Sequence, residues 1–167
     1  MIQVLLVATL LGKTIWMDVD PAVLEGGHEP DDGLALLQAF NAPEIDVRGI
    51  SVVFGNSPLT VGYPNAKEIA KRFGPKNIPV YKGAANRHEL GTKTDASAAL
   101  ARALEKEPLT ILALGPVTNV ATMLMNNPRL RAQVNEIVAV AGRRPGQQFL
   151  LGNGDTPLRD FNFESDA

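Results

Sequence analysis

The sequence predicts an α/β domain: an open, mostly parallel sheet covered by helices on both faces. Three observations carry this reading. Short apolar runs alternate with helical patterns along most of the chain. The candidate strands, such as LTILAL at 109–114 and EIVAVA at 136–141, are continuous apolar runs and not period-two patterns, as strands buried on both faces require. The chain has 167 residues, 45% hydrophobic, with 16 Lys+Arg against 18 Asp+Glu. That composition suits one globular core, and a chain of this size buries about 70% of its unfolded surface.

The elements follow in order. Residues 13–17 (KTIWM) form a short apolar run that ends on acids and read as the first strand. A helix over 31–40 places Leu34, Ala35 and Leu37 at helical spacing. Residues 45–54 read as a strand. Residues 67–73 read as the end of a second helix, with Pro64 at its first turn or at a kink, because proline cannot donate to the helical ladder. Residues 78–81 form the next strand, and 95–107 (DASAALARALEKE) a helix with an acidic cap. A buried strand at 109–114, a helix at 118–125 and another buried strand at 136–141 complete the pattern. The sequence has no internal repeat, low-complexity segment or interdomain linker, so one domain over 1–167 is expected. The tail from 142 to 167 turns glycine-rich and polar, an unusual finish for a doubly wound domain.

The formal charge of −2 supplies no broad basic field, so nucleic acid and membrane surfaces are not expected partners. Cysteine is absent, which removes disulfides, thiolate metal sites and thiol nucleophiles together. This fits a reducing compartment, and a cytoplasmic location is expected. The apolar run at 1–11 (MIQVLLVATLL) is too short to span a bilayer and lacks a basic flank and a small-residue cleavage site. It reads as a buried strand or a leader in preference to a secretion signal.

Residues 16–37, WMDVDPAVLEGGHEPDDGLALL, carry the chemistry. Asp18 and Asp20 lie at a strand's carboxyl end, and Asp31 and Asp32 open the next helix. Open α/β sheets bind ligands at that edge. Either pair alone reads as structural, since Asp is favoured at a helix start by free amide donors and the helix dipole. Four carboxylates across one strand-to-helix turn repel one another unless a cation offsets them, which points to a hard, oxygen-preferring ion such as Ca²⁺ or Mg²⁺.

This segment resembles the signature of the nucleoside hydrolases, the inosine-uridine preferring nucleoside N-ribohydrolases, in which a strand ends in Asp-x-Asp-Pro and an Asp-Asp pair starts the next helix. Ten residues (PAVLEGGHEP) separate the halves here, more than is usual in the family. Collinear matches follow: VVFGN (52–56), Asn65–Ala66, PVYKGAA (79–85), LGPVTNVA (114–121) with NPRL after it, and DFNFESD (160–166). The resemblance implies a Rossmann-like nucleoside hydrolase fold. It implies that Asp20 binds Ca²⁺ and acts as general base toward water, that Asp32 is a second calcium ligand, and that the Leu114 backbone carbonyl is a third. It further implies ribose contacts from Asp31, Asn56, Asn153, Asp160 and Asn162. Leu114 stands where the family usually has Thr, Asp160 where it has Glu, and the spacing of Asn153 to Pro157 is one residue off.

The implied reaction is Ca²⁺-dependent hydrolysis of the ribosyl C–N bond of a small-molecule ribonucleoside, by a chain expected to form a homo-oligomer. Carboxylates near the sugar would stabilise its oxocarbenium character. The match covers the first half of a family member, so the domain is expected to be incomplete at its C-terminus, without the family's further Asp ligand and its His. His28 and His88 read as solvated loop residues, His28 being the better acid candidate. Two alternatives remain: a non-catalytic sugar-binding, nucleoside-binding or oligomer-forming domain and, more distant, a haloacid-dehalogenase-like phosphohydrolase, which also begins on a strand with Asp-x-Asp. Gly26-Gly27 and Gly152-x-Gly154 read as turns, Arg143-Arg144 as a solvated pair and Met123 and Met125 as packing residues. Trp16 and Phe54 suit either core packing or stacking on a base.

Overall fold

The computed structural model describes residues 12–23, 30–142, 146–150, 154, 157–158 and 160–166. Residues 1–11, Gly26-Gly27, His28, Arg143-Arg144, Gly152 and Asn153 lie outside that set.

The predicted parallel α/β sheet is present. Five strands, β1 (Lys13–Val19), β2 (Ile45–Val52), β3 (Val80–Lys82), β4 (Leu109–Ala113) and β5 (Val134–Ala139), pair in the order β3-β2-β1-β4-β5, all parallel. Helices α1 (Asp31–Asn41) and α2 (Leu59–Phe73) cover one face, α3 (Asp95–Leu104) and α4 (Thr118–Asn126) the other. Alternation along β1 divides its side chains between these layers. Ile15, Met17 and Val19 pack with Leu36 and Ile69 on the α1/α2 side, and Trp16 packs with Leu100 and Ile111 on the α3/α4 side. The strand order reverses between β1 and β4, and such a switch point opens a crevice at the strands' carboxyl ends. β1 delivers its acids there.

Trp16 is a core residue and not a base-stacking platform: it is buried, its Nε1 donates to Ser51 Oγ at 2.8 Å, and its ring stacks on Tyr81 at 5.7 Å. Room for the indole comes from a register shift that sets Trp16 opposite Gly49, where a Cβ would stand 2.4 Å from Trp16 Cζ3. Gly49→Ala therefore overpacks a layer that has no slack, and a thermal melt is expected to show a loss of roughly 3–10 °C. An unchanged melting temperature would mean that the indole can move aside.

Several local expectations are corrected. Helix α2 begins at Leu59, so Pro64 lies inside it and not at its first turn. Pro64 and Thr60, whose carbonyl loses its donor, are both exposed, so water can take the place of the missing bond. Helix α3 is capped by Thr94 in a capping box with Ser97, and Asp95 follows in the first turn. Strand β5 is not buried: among the described residues it pairs only with β4, and Ile137 and Val138, which point to opposite faces, are 41% and 44% exposed. The polar tail carries a two-stranded antiparallel ribbon, β6 (Phe149–Leu150) with β7 (Pro157–Leu158), and a short helix α5 (Phe161–Asp166). Met123 is buried while Met125 is exposed, and His88 lies on an exposed turn. Among the described residues, no helix is long and apolar enough to cross a membrane.

Candidate active site

Three of the four sequence-adjacent acids are buried at the carboxyl edge of β1. Asp18, Asp20 and Asp32 are 0%, 4% and 4% exposed, whereas Asp31 is exposed. The pattern follows from local geometry. β1 runs to Val19, so Asp18 lies in the sheet with Ser51 and Ala113 as its strand partners, and Asp20 lies just past the strand's end. Asp31 and Asp32 open α1 behind Pro30, which occupies the N-cap position and provides no side-chain cap. Asp31 is therefore not the capping residue, and its neighbour Asp32 turns inward.

Asp20 and Asp32 form one unit. The backbone N–H of Asp20 donates to Asp32 Oδ2 at 2.7 Å, and the backbone N–H of Asn56 donates to Asp20 Oδ2 at 2.7 Å. Burial pushes both carboxyls up, Asp32 to about 8; the charge of Asp20 raises Asp32 further, and the charge of Asp31 raises both. Two turns close on Asp20. A Cβ on Gly55 would fall 1.9 Å from Asp20 Oδ2, and one on Gly115 would stand 3.0 Å from Asp20 Cγ, so only glycine backbones approach the carboxylate this closely.

Asp18 serves a separate network, which the sequence reading did not assign. Its Oδ1 accepts the hydroxyl of Ser51 and the amide of Asn119, the latter at 2.9 Å. Asn119 also donates to the Val52 carbonyl at 3.3 Å and accepts the N–H of Ala84 at 2.8 Å. A Cβ on Gly83 would lie 2.3 Å from the Asn119 amide, so that glycine makes room for it. Burial raises the Asp18 carboxyl to about 7 against the pull of these two donors. Its Oδ2 is buried without a hydrogen-bond partner among the described residues. A polar Thr-Asn pair opening an otherwise apolar helix was the available signal for Asn119.

The remaining sequence candidates fall in two groups. Asn56 is half-buried and reaches Asp20 through its backbone. Leu114 follows β4, and its carbonyl accepts the Asn162 side-chain amide at 2.6 Å; the same amide reaches the Val140 carbonyl at 2.8 Å. Asn162 is thus tied to the ends of β4 and β5. Asp160 caps α5, its Oδ1 accepting the Phe163 N–H at 2.7 Å. Asn153 lies outside the described residues.

In donor chemistry, the Asp20 and Asp32 oxygens fit a hard cation. They are buried and mutually repelling, with one oxygen of each fixed by an amide. Among the described residues, no three acidic or His side chains converge as one ligand set.

Comparison with known proteins bears on what these residues do. Residues 15–167 match the family model described as inosine-uridine preferring nucleoside hydrolase. Uridine nucleosidase 1 of Arabidopsis thaliana is 29% identical over 198 residues, covering 95% of this chain and 56% of its own length. The non-specific ribonucleoside hydrolase RihC of Shigella flexneri is 27% identical over 180 residues, covering 91% and 54%. Among solved structures, the plant nucleoside hydrolase PpNRh1 superposes with a TM-score of 0.68 at 25% identity over 79% of this chain and 48% of that one. The purine-preferring ribonucleoside hydrolase from Gardnerella vaginalis shares the fold, with a TM-score of 0.66 at 23% identity over 78% and 49%. The chain spans about half the length of the relatives it matches.

Proposed function

The chain belongs to the inosine-uridine preferring nucleoside hydrolase family, and we propose that it carries the carboxylate side of a site that hydrolyses the N-glycosidic bond of ribonucleosides to ribose and free base with Ca²⁺. The observation that carries this reading is the buried Asp20–Asp32 pair at the β1/β4 switch point.

Asp20 is the general base. Burial raises its proton affinity, which improves proton abstraction from water, and the Asn56 N–H keeps the carboxylate oriented. Asp20, Asp32 and the Leu114 carbonyl are the residues that would hold Ca²⁺. When bound, the ion would supply charge neutralisation for the two carboxylates and lower the pKa of water beside Asp20. Ca²⁺ takes six to eight oxygens, so a ribose diol fits the remainder of its shell. The carboxylates also face the sugar as its positive charge develops. Asp31, at the mouth of the site, and Asn56, Asn153, Asp160 and Asn162 are the proposed ribose-side residues. In the described structure Asp160 and Asn162 act on backbone groups, so a ribose contact from either requires α5 to give up a hydrogen bond. A cytoplasmic location and a homo-oligomer belong to the same proposal.

Assays with inosine and uridine, each with Ca²⁺ and with a chelator, test the reading. Release of ribose that the chelator stops is expected. Calorimetric binding of ribose without turnover would instead favour a sugar-binding domain.

A further inference from the structure

The turn from Leu114 to Val117 roofs Asp20. A Gly115 Cβ would stand 3.0 Å from Asp20 Cγ and 2.8 Å from Val53 Cγ1, and Pro116 Cδ lies 2.8 Å from where a Gly55 Cβ would be. The opposing turn at 54–57 is anchored in the sheet, through the Val53 N–H to the Val19 carbonyl and the Phe54 N–H to the Ala84 carbonyl, both at 3.0 Å. The Leu114–Val117 turn is tied to the sheet at its near end, where the Leu114 N–H donates to the Asp18 carbonyl at 2.8 Å. Its far end opens α4, and the N-cap residue there, Val117, has no side-chain acceptor to offer the helix's free N–H groups.

That acceptor arrives from 49 residues away. Asp166 accepts the Val117 N–H at 2.5 Å and the hydroxyl of the buried Thr118. A carboxylate at a helix N-terminus is favoured both by these bonds and by the helix dipole. One turn earlier on α5, Asn162 holds the Leu114 carbonyl. Helix α5 thus grips the turn at both ends, and the turn in turn packs on Asp20.

We propose that Asp166 is a positioning residue that fixes the Leu114–Val117 turn over Asp20. Its effect on hydrolysis rests on the reading of Asp20 as the base, whereas its effect on the turn does not. A purely structural cap would stabilise α4 and leave the surroundings of Asp20 unchanged.

Amide NMR on the full chain separates the two. Asp166→Ala is expected to speed hydrogen exchange at Val117 by about tenfold or more, the cost of a charge-assisted bond. It is also expected to shift the amide resonances of Gly115 and of Asn56, the donor to Asp20. Leu130→Ala, a core variant beyond the far end of α4 that lowers stability generally, is expected to leave those two resonances in place. Asp166→Asn, which keeps an acceptor oxygen, restores part of the Val117 protection and carries the same readout if the alanine variant does not fold. Unchanged Val117 exchange, or equal Gly115 and Asn56 shifts in the Asp166 and Leu130 variants, would overturn the proposal. Inosine turnover by the wild type is measured in parallel. Its absence would strike the functional reading, while the amide data still decide this one.

Discussion

Asp20→Asn is expected to abolish hydrolysis of inosine and uridine while leaving the melting temperature unchanged or higher. Loss of a general base costs roughly 10²–10⁴-fold in rate, and this residue is also a proposed cation ligand, so the fall lies at the upper end. The fold survives for a local reason. The amide oxygen of Asn can still accept the Asn56 N–H, and a neutral side chain no longer repels Asp32. Steady-state assays beside a thermal melt check both halves. Full turnover would remove Asp20 from the base role, and a collapse in stability would make it a structural residue.

The second large effect is the pH dependence of stability and its reversal by Ca²⁺. Asp18, raised to about 7, and the raised Asp20–Asp32 pair keep protons in the folded chain that the unfolded chain has released above about pH 4. The folded state therefore binds more protons than the unfolded state, and stability falls with rising pH across that range. It is complete below about pH 4 as far as these groups are concerned, and it is lost as pH rises through the folded values. Without added cation, the melting temperature is expected to drop by roughly 5–10 °C between pH 5 and pH 8. Ca²⁺ at pH 8 should restore it and release protons on binding, visible as a buffer-dependent heat in calorimetry. Asp32→Ala removes the Ca²⁺ shift. A wild type that melts at the same temperature with and without Ca²⁺ would leave the acids as structural groups.

The alternation of elements was legible because it is local. Each strand is an apolar run and each helix a periodic one, and the parallel sheet follows from strands joined through helices. What misled was local chemistry with a tertiary answer. Pro64 reads as a first turn or a kink until α2 proves to begin at Leu59, and EIVAVA reads as buried until β5 proves to be the edge of the described sheet. The candidate site divides in the same way. The two Asp pairs and their position at a strand end were visible in WMDVDP and EPDDG, and the collinear motifs led to the family that the comparisons show.

The sequence by itself determined the fold class, the family and the identity of the acids, because these depend on residue type and short-range order. Only the tertiary structure decided that Asp20 and Asp32 act as one buried unit, that Asp31 faces outward and that Asp18 belongs to Ser51 and Asn119. Burial and the donors that offset it come from chain segments far apart. Asn119 lies 101 residues from Asp18, and Asp166 lies 49 from the helix it caps. No local pattern encodes such partners, since they form only when β1, α4 and α5 meet at one edge of the sheet.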